Sequence, residues 1–149
     1  ETPTLPAVAE AVRRIRQAKG MLLVAGDPDC RSAGSFFKNP VVSFDQLRNI
    51  AANAGADPPH FPAGPEPAHK EMVKVPAAWL IEHAGFAKGT ARGEAGISSR
   101  HTLALINRGG ATAHDILALA KEIRAAVFAR FGIQLEKEPV LVGFRDEVF

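Results

Sequence analysis

Apolar residues recur at helical spacing in four segments of the chain, and each segment carries its own start and stop signals. Val8, Val12 and Ile15 form the first stripe; Thr4 as cap, Pro6 in the first turn and Gly20 as terminator predict a helix from about Leu5 to Lys19. Ser43 and Gln46 make a capping box and Val42 and Leu47 a hydrophobic staple. They predict a second helix with Leu47, Ile50, Ala51 and Ala54 inward, ended by Gly55. Pro76 opens a third, with Ala77, Leu80, Ile81 and Ala84 inward and Gly85 closing it. Thr112 and Asp115 start the fourth, whose stripe is Ile116, Leu119, Ala120, Ile123 and Val127, ending at Gly132.

Between these helices lie short apolar runs of strand length. Met72–Val75, Thr102–Asn107 and Pro139–Phe144 are the strand candidates, the second apolar enough to be buried on both faces. Met21–Val24 fits either a strand or a packed loop. The stretch from Ala56 to Glu71 carries five prolines and no periodicity, and reads as an ordered, irregular loop. Lys88 to Gly96 reads as a glycine-bearing loop. The fold class expected is α+β, one compact domain of about four helices on a small mixed sheet, rather than a regular doubly wound sheet.

Composition narrows the class without identifying it. A chain of 149 residues, 46% hydrophobic and 23% charged, has the size and balance of one globular domain. No apolar run is long enough for a transmembrane helix and no signal-peptide pattern is present, so no membrane partner is expected. The single cysteine, Cys30, permits no internal disulfide and points to a reducing, cytoplasmic setting. A net charge of +2, with no interleaving of basic and aromatic residues, argues against a nucleic-acid partner. The chain enters helical pattern within a few residues of Glu1, and the expectation is a piece of a longer polypeptide.

The usual reactive constellations are missing. The five histidines contain no His-Glu-x-x-His pair, and one cysteine cannot build a zinc knuckle, so no metal site is expected. Ser35 lacks the glycine after it that a nucleophile elbow needs, and Gly89 to Gly96 has neither dinucleotide spacing nor a P-loop Lys-Ser or Lys-Thr. Three features remain open. Arg13, Arg14, Arg16 and Lys19 suit a small anionic ligand or a solvated helix face. Ser35, between Ala33-Gly34 and Phe36-Phe37, is either a turn serine bonded to backbone or a proton donor shielded from water, with Lys38 or Asn39 beside it as ligand contacts. Glu136 and Glu138 are either a solvated edge or a functional carboxylate.

Ser32-Ala33-Gly34-Ser35-Phe36-Phe37-Lys38-Asn39-Pro40 resembles the signature of the UDP-N-acetylenolpyruvoylglucosamine reductase family (UDP-N-acetylmuramate dehydrogenases). Four further segments agree in order: Ala78 to Glu82, Lys88-Gly89 with Gly93 and Gly96, His101 to Asn107, and Phe131-Gly132-Ile133 running to Glu138 and Gly143. Together they span nearly the whole chain and correspond to the family's C-terminal, substrate-binding domain; the insert from Val41 to Val75 resembles the longer subclass.

The resemblance implies a cytoplasmic bacterial flavoprotein in which NADPH reduces FAD and hydride passes to the enol ether of UDP-N-acetylglucosamine enolpyruvate, giving UDP-N-acetylmuramate for peptidoglycan. The flavin-binding region lies upstream in the family, so residues 1–20 are expected to be a helix leading in from it. This piece alone is expected to retain no FAD and to be inactive. Family position makes Ser35 the proton donor and, counting five residues back from Gly143, Glu138 the carboxylate beside the developing charge. An arginine that completes this group belongs to the upstream part. Asn39 falls where the family contacts the uridine diphosphate portion, Lys19 where a lysine meets the diphosphate, His101 near the uracil, and Arg16 is a weaker candidate. Lys137 departs from the family, where proline is common before the glutamate. The alternative reading is a stand-alone nucleotide-sugar-binding module in which Ser35 is merely structural.

Overall fold

Four capped helices organise the chain in the computed structural model, which describes residues 2–64, 71–144 and 149. Helix α1 (Leu5–Ala18) starts at Thr4, whose side chain accepts from Ala7 N. Helix α2 (Phe44–Ala54) begins with the Ser43–Gln46 capping box and ends at Gly55, which adopts the left-handed conformation with φ +69°. Helix α3 (Ala77–His83) follows Pro76, and helix α4 (Ala113–Phe131) runs from the Thr112–Asp115 box to Gly132.

The strands make two small antiparallel sheets, so the α+β class holds while the sheet is divided and contains no parallel pair. The first has the order β1-β7-β6-β5, from Ser32–Ser35 (β1), Ala104–Asn107 (β7), Ala95–Ile97 (β6) and Ala91–Arg92 (β5). The second has the order β2-β4-β3, from Val41–Ser43 (β2), Met72–Lys74 (β4) and Phe61–Pro62 (β3). Pro62 is tolerated because β3 is an edge strand, where a missing N–H breaks no ladder. Helix α4 is the centre of the core. Its Leu119, Ala120, Ile123 and Val127 are buried with Ile97 and Leu105 of the first sheet, Ile50 of α2 and Leu80 and Ile81 of α3.

Three expectations need correction, and one open alternative is decided. Pro139–Phe144 forms no strand among the described residues; Val140 and Val142 are exposed, no neighbouring strand covers their face, and Pro139 has no N–H to offer. Among the described residues, the pairing nearest this segment is an isolated antiparallel bridge between Phe37 and Lys137. Of the two readings of Met21–Val24, the structure takes the loop. The glycine-bearing segment is a β-hairpin, β5 to β6, turned by Gly93 (φ +57°) and Glu94. The proline-rich loop contains β3; its remainder, 65–70 and with it His69, lies outside the described residues.

Helix α1 is the exception to the packing. It contains no buried residue, and its stripe of Leu5, Val8, Val12 and Ile15 is exposed. An isolated helix of 14 residues is marginal in water, and its apolar face gains nothing here.

Candidate functional site

The segment from Ser35 to Asn39 is held from both sides. Ser35 ends β1 opposite Ala104 of β7, and the register shifts between Ser32 and Ser35, the mark of a bulge that re-aims a side chain. Phe36 N donates to Leu103 O at 2.8 Å, while Phe36 O accepts from Glu138 N at 2.8 Å. Lys38 N donates to Glu136 O at 2.9 Å. Ser35 and Glu138 are thereby brought to adjoining backbone segments, one residue removed from a shared hydrogen bond.

The local chemistry separates the two serines and the two glutamates. Ser32 Oγ accepts from Gly34 N at 3.3 Å, so the turn's backbone bond goes to Ser32. The half-buried Ser35 hydroxyl has no hydrogen bond among the described residues. Glu136 is paired with Lys38 at 3.4 Å, whereas Glu138 enters no ion pair among the described residues. The next two residues, Phe36 and Phe37, are both buried and meet edge to face, ring centres 5.1 Å apart.

Asn39 is oriented by α3. Its Oδ1 accepts from Ala77 N at 2.9 Å, capping the start of that helix, which leaves the NH₂ end as donor on the open side. Asn39 and Glu138 line a cavity of about 740 Å³ with Lys38, Gln46, Lys74 and Glu136. Ser35, Lys19 and His101 do not line that cavity.

His101 lies in the turn before β7 and is half-buried. Its Nδ1 accepts from Leu103 N at 3.2 Å, which places the proton of the neutral ring on Nε2. Burial lowers its pKa, with the positive charges of Lys19 and Lys88 acting in the same direction and Glu82 opposing them. The ring is therefore neutral near pH 7 and offers Nε2–H. His101 O in turn accepts from Ala104 N at 3.0 Å, and Ala104 is the register partner of Ser35. The His101 turn and the Ser35 strand are thus one construction.

Lys19 caps the end of α1 and is exposed. Arg16 turns back on its own helix, its Nε donating to Met21 O at 3.2 Å, so it is the less available cation. Two contributors lay outside the residues expected from sequence. Lys88 was legible only as half of a Lys-Gly pair, with no pattern to give it a role; its charge reaches His101. Arg100 is bound to Asp27 and Asp29, partners far away along the chain. No group of three or more metal-ligating side chains occurs among the described residues.

The fold is an α+β domain in which Asn39 and Glu138 line one cavity, while Lys19 and His101 lie together elsewhere, at the turn before β7. The chain belongs to the family described as UDP-N-acetylenolpyruvoylglucosamine reductase, C-terminal domain, which matches residues 27–142. It is 51% identical to the UDP-N-acetylenolpyruvoylglucosamine reductase of Thermobifida fusca over 142 residues, 91% of this chain and 38% of that protein. The enzymes of the same name from Streptomyces coelicolor and Mycobacterium leprae are each 49% identical, over 93% and 92% of this chain and 37% and 36% of their own lengths. The chain thus spans between a third and two fifths of the relatives it matches.

Proposed function

We propose that this chain is the UDP-sugar-binding and proton-donating part of a flavin-dependent reductase that converts UDP-N-acetylglucosamine enolpyruvate to UDP-N-acetylmuramate with NADPH, in the bacterial cytoplasm. The observation that carries it is the Ser35 hydroxyl, without a hydrogen bond among the described residues, on a segment joined to the Glu138 segment by the Phe36–Glu138 backbone bond. Hydride addition to one alkene carbon leaves carbanion character on the neighbour that bears the carboxylate. That centre is basic enough to take a proton from a serine hydroxyl when water is held away. Ser35 gives the proton and regains one from solvent. Asn39 Nδ2–H and Lys19 suit the diphosphate, and His101 Nε2–H suits a uracil carbonyl.

The Gly89–Gly96 segment does not fit a dinucleotide: it forms a β-hairpin rather than a turn at a helix N-terminus, and a Cβ at Gly96 would meet Arg108 Cδ at 2.9 Å. Hydride delivery is assigned to the part of the polypeptide outside this chain. The exposed stripe of α1 supports that division, and α1 falls outside the residues matched as the C-terminal domain. In the full-length polypeptide the rest of the chain covers Val8, Val12 and Ile15. Val12→Asp is expected to lower the melting temperature of the full-length protein by several degrees and to leave that of this chain unchanged, as scanning calorimetry of both would reveal; equal shifts would speak against the packing.

The reaction itself is tested by oxidation of NADPH with UDP-N-acetylglucosamine enolpyruvate. The full-length polypeptide is expected to turn over, and this chain, purified, to be colourless and inactive. A yellow, stoichiometric flavin complex of this chain would overturn the division of labour.

A further inference from the structure

Arg100 sits at the junction between α1 and the turn that carries His101. Its Nε donates to Asp29 Oδ2 at 3.1 Å, its Nη1 to Gln17 O at 2.8 Å, and its Nη2 to both carboxylate oxygens of Asp27. Asp29, only 4% exposed, is further satisfied by Ser99, through N at 3.0 Å and Oγ at 2.6 Å. Ser98 Oγ accepts from Arg100 N at 3.1 Å and His101 N at 3.3 Å, which knits the same turn together.

The end of α1 fits closely over this group. Gly20, buried with φ +67°, passes so near that an added Cβ would lie 2.9 Å from Asp29 Cβ and 3.4 Å from Arg100 Nε. Lys19 is the residue before Gly20, and His101 is the residue after Arg100. Because α1 has no buried side chain of its own, this fork is the visible tie between the helix end and the domain.

We propose that Arg100, forked between Asp27 and Asp29 and bonded to Gln17 O, is a positioning residue that holds Lys19 in register with His101 so that both meet one nucleotide ligand. This inference rests on the proposed function, which assigns Lys19 and His101 to that ligand. Arg100 Nε, Nη1 and Nη2 each have a partner within the protein, so its part is to hold the fork. A guanidinium is required because it serves two carboxylates and a carbonyl at once, which an ammonium cannot do in the same plane.

The test uses the full-length polypeptide, with UDP-N-acetylglucosamine enolpyruvate as substrate and UDP as competitive probe. Arg100→Gln is expected to raise KM and the UDP inhibition constant about tenfold with kcat within about twofold, the signature of lost ground-state positioning. Lys19→Ala is expected to do the same, and the double variant to be no worse than Lys19→Ala alone by more than about twofold, since both remove one interaction. Asp27→Asn, a milder cut at the fork, is expected to raise KM in the same sense even if Arg100→Gln folds poorly. Independent, multiplying effects of Arg100→Gln and Lys19→Ala would overturn the proposal, as would a change in stability with KM intact. A Lys19→Ala variant that raises KM while both fork variants are silent overturns the clamp alone. A Lys19→Ala variant with unchanged KM overturns the ligand assignment on which the clamp depends.

Discussion

In the full-length enzyme, Ser35→Ala is expected to leave reduction of the flavin by NADPH nearly untouched and to slow its reoxidation by the enolpyruvyl substrate severely. Donation from a positioned general acid contributes typically 10²–10⁴-fold, about 3–5 kcal/mol of barrier, and the loss is expected in that range. Ser35→Cys is expected to recover part of the rate, since a thiol can deliver a proton from nearly the same place. A serine that merely satisfied a turn would behave differently, costing about 1 kcal/mol of stability and leaving both half-reactions alone. The structure already gives that turn role to Ser32. Stopped-flow traces of the two half-reactions decide between the outcomes, and an alanine variant that reoxidises at the unaltered rate removes Ser35 from the chemistry.

The second large effect concerns the scaffold. Phe37 is 1% exposed, meets Phe36 edge to face and sits at the bridge to Lys137 that joins the Ser35 segment to the Glu138 segment. Phe37→Ala is expected to destabilise this chain by about 3–5 kcal/mol, from lost burial and the cavity left behind. For a domain of this size that lowers the melting temperature by roughly 10 °C. Phe37→Leu, which refills most of the space, is expected to cost markedly less. Urea unfolding of this chain checks both values. A loss for Phe37→Ala below about 1 kcal/mol, the size of an ordinary surface change, would mean that the bridge and not the ring holds the two segments together.

What could be read from the sequence was local. The caps of α2 and α4 lie within four residues of the groups they satisfy, so Ser43–Gln46 and Thr112–Asp115 announce their helices, and both capping boxes form. Spacing also gave α1, but spacing states only that a face is apolar; whether Val8, Val12 and Ile15 are covered depends on what packs there. The hairpin at Gly93 was hidden because its strands are two and three residues long, too short for alternation to register. Pro139–Phe144 failed for the opposite reason, since an apolar run of strand length was present and, among the described residues, no partner strand was. Long-range pairing was not legible at all. Asn39 stood out as a polar residue after Phe36-Phe37-Lys38, yet its orientation comes from Ala77, 38 positions away. The fork of Arg100 joins residues more than 70 positions apart. Neither bond has a signature in composition or periodicity.

The central proposal is that Lys19, Asn39 and His101 meet one nucleotide sugar. Titration of the ¹⁵N-labelled chain with UDP, followed by the movement of assigned amide and imidazole resonances, tests this most directly. The account predicts weak, saturable shifts grouped at Lys19, Asn39, Lys88 and His101, with the solvent face of α4 around Lys121 and Ala125 unmoved. Shifts confined to α4, or none at these four residues at millimolar UDP, would contradict it.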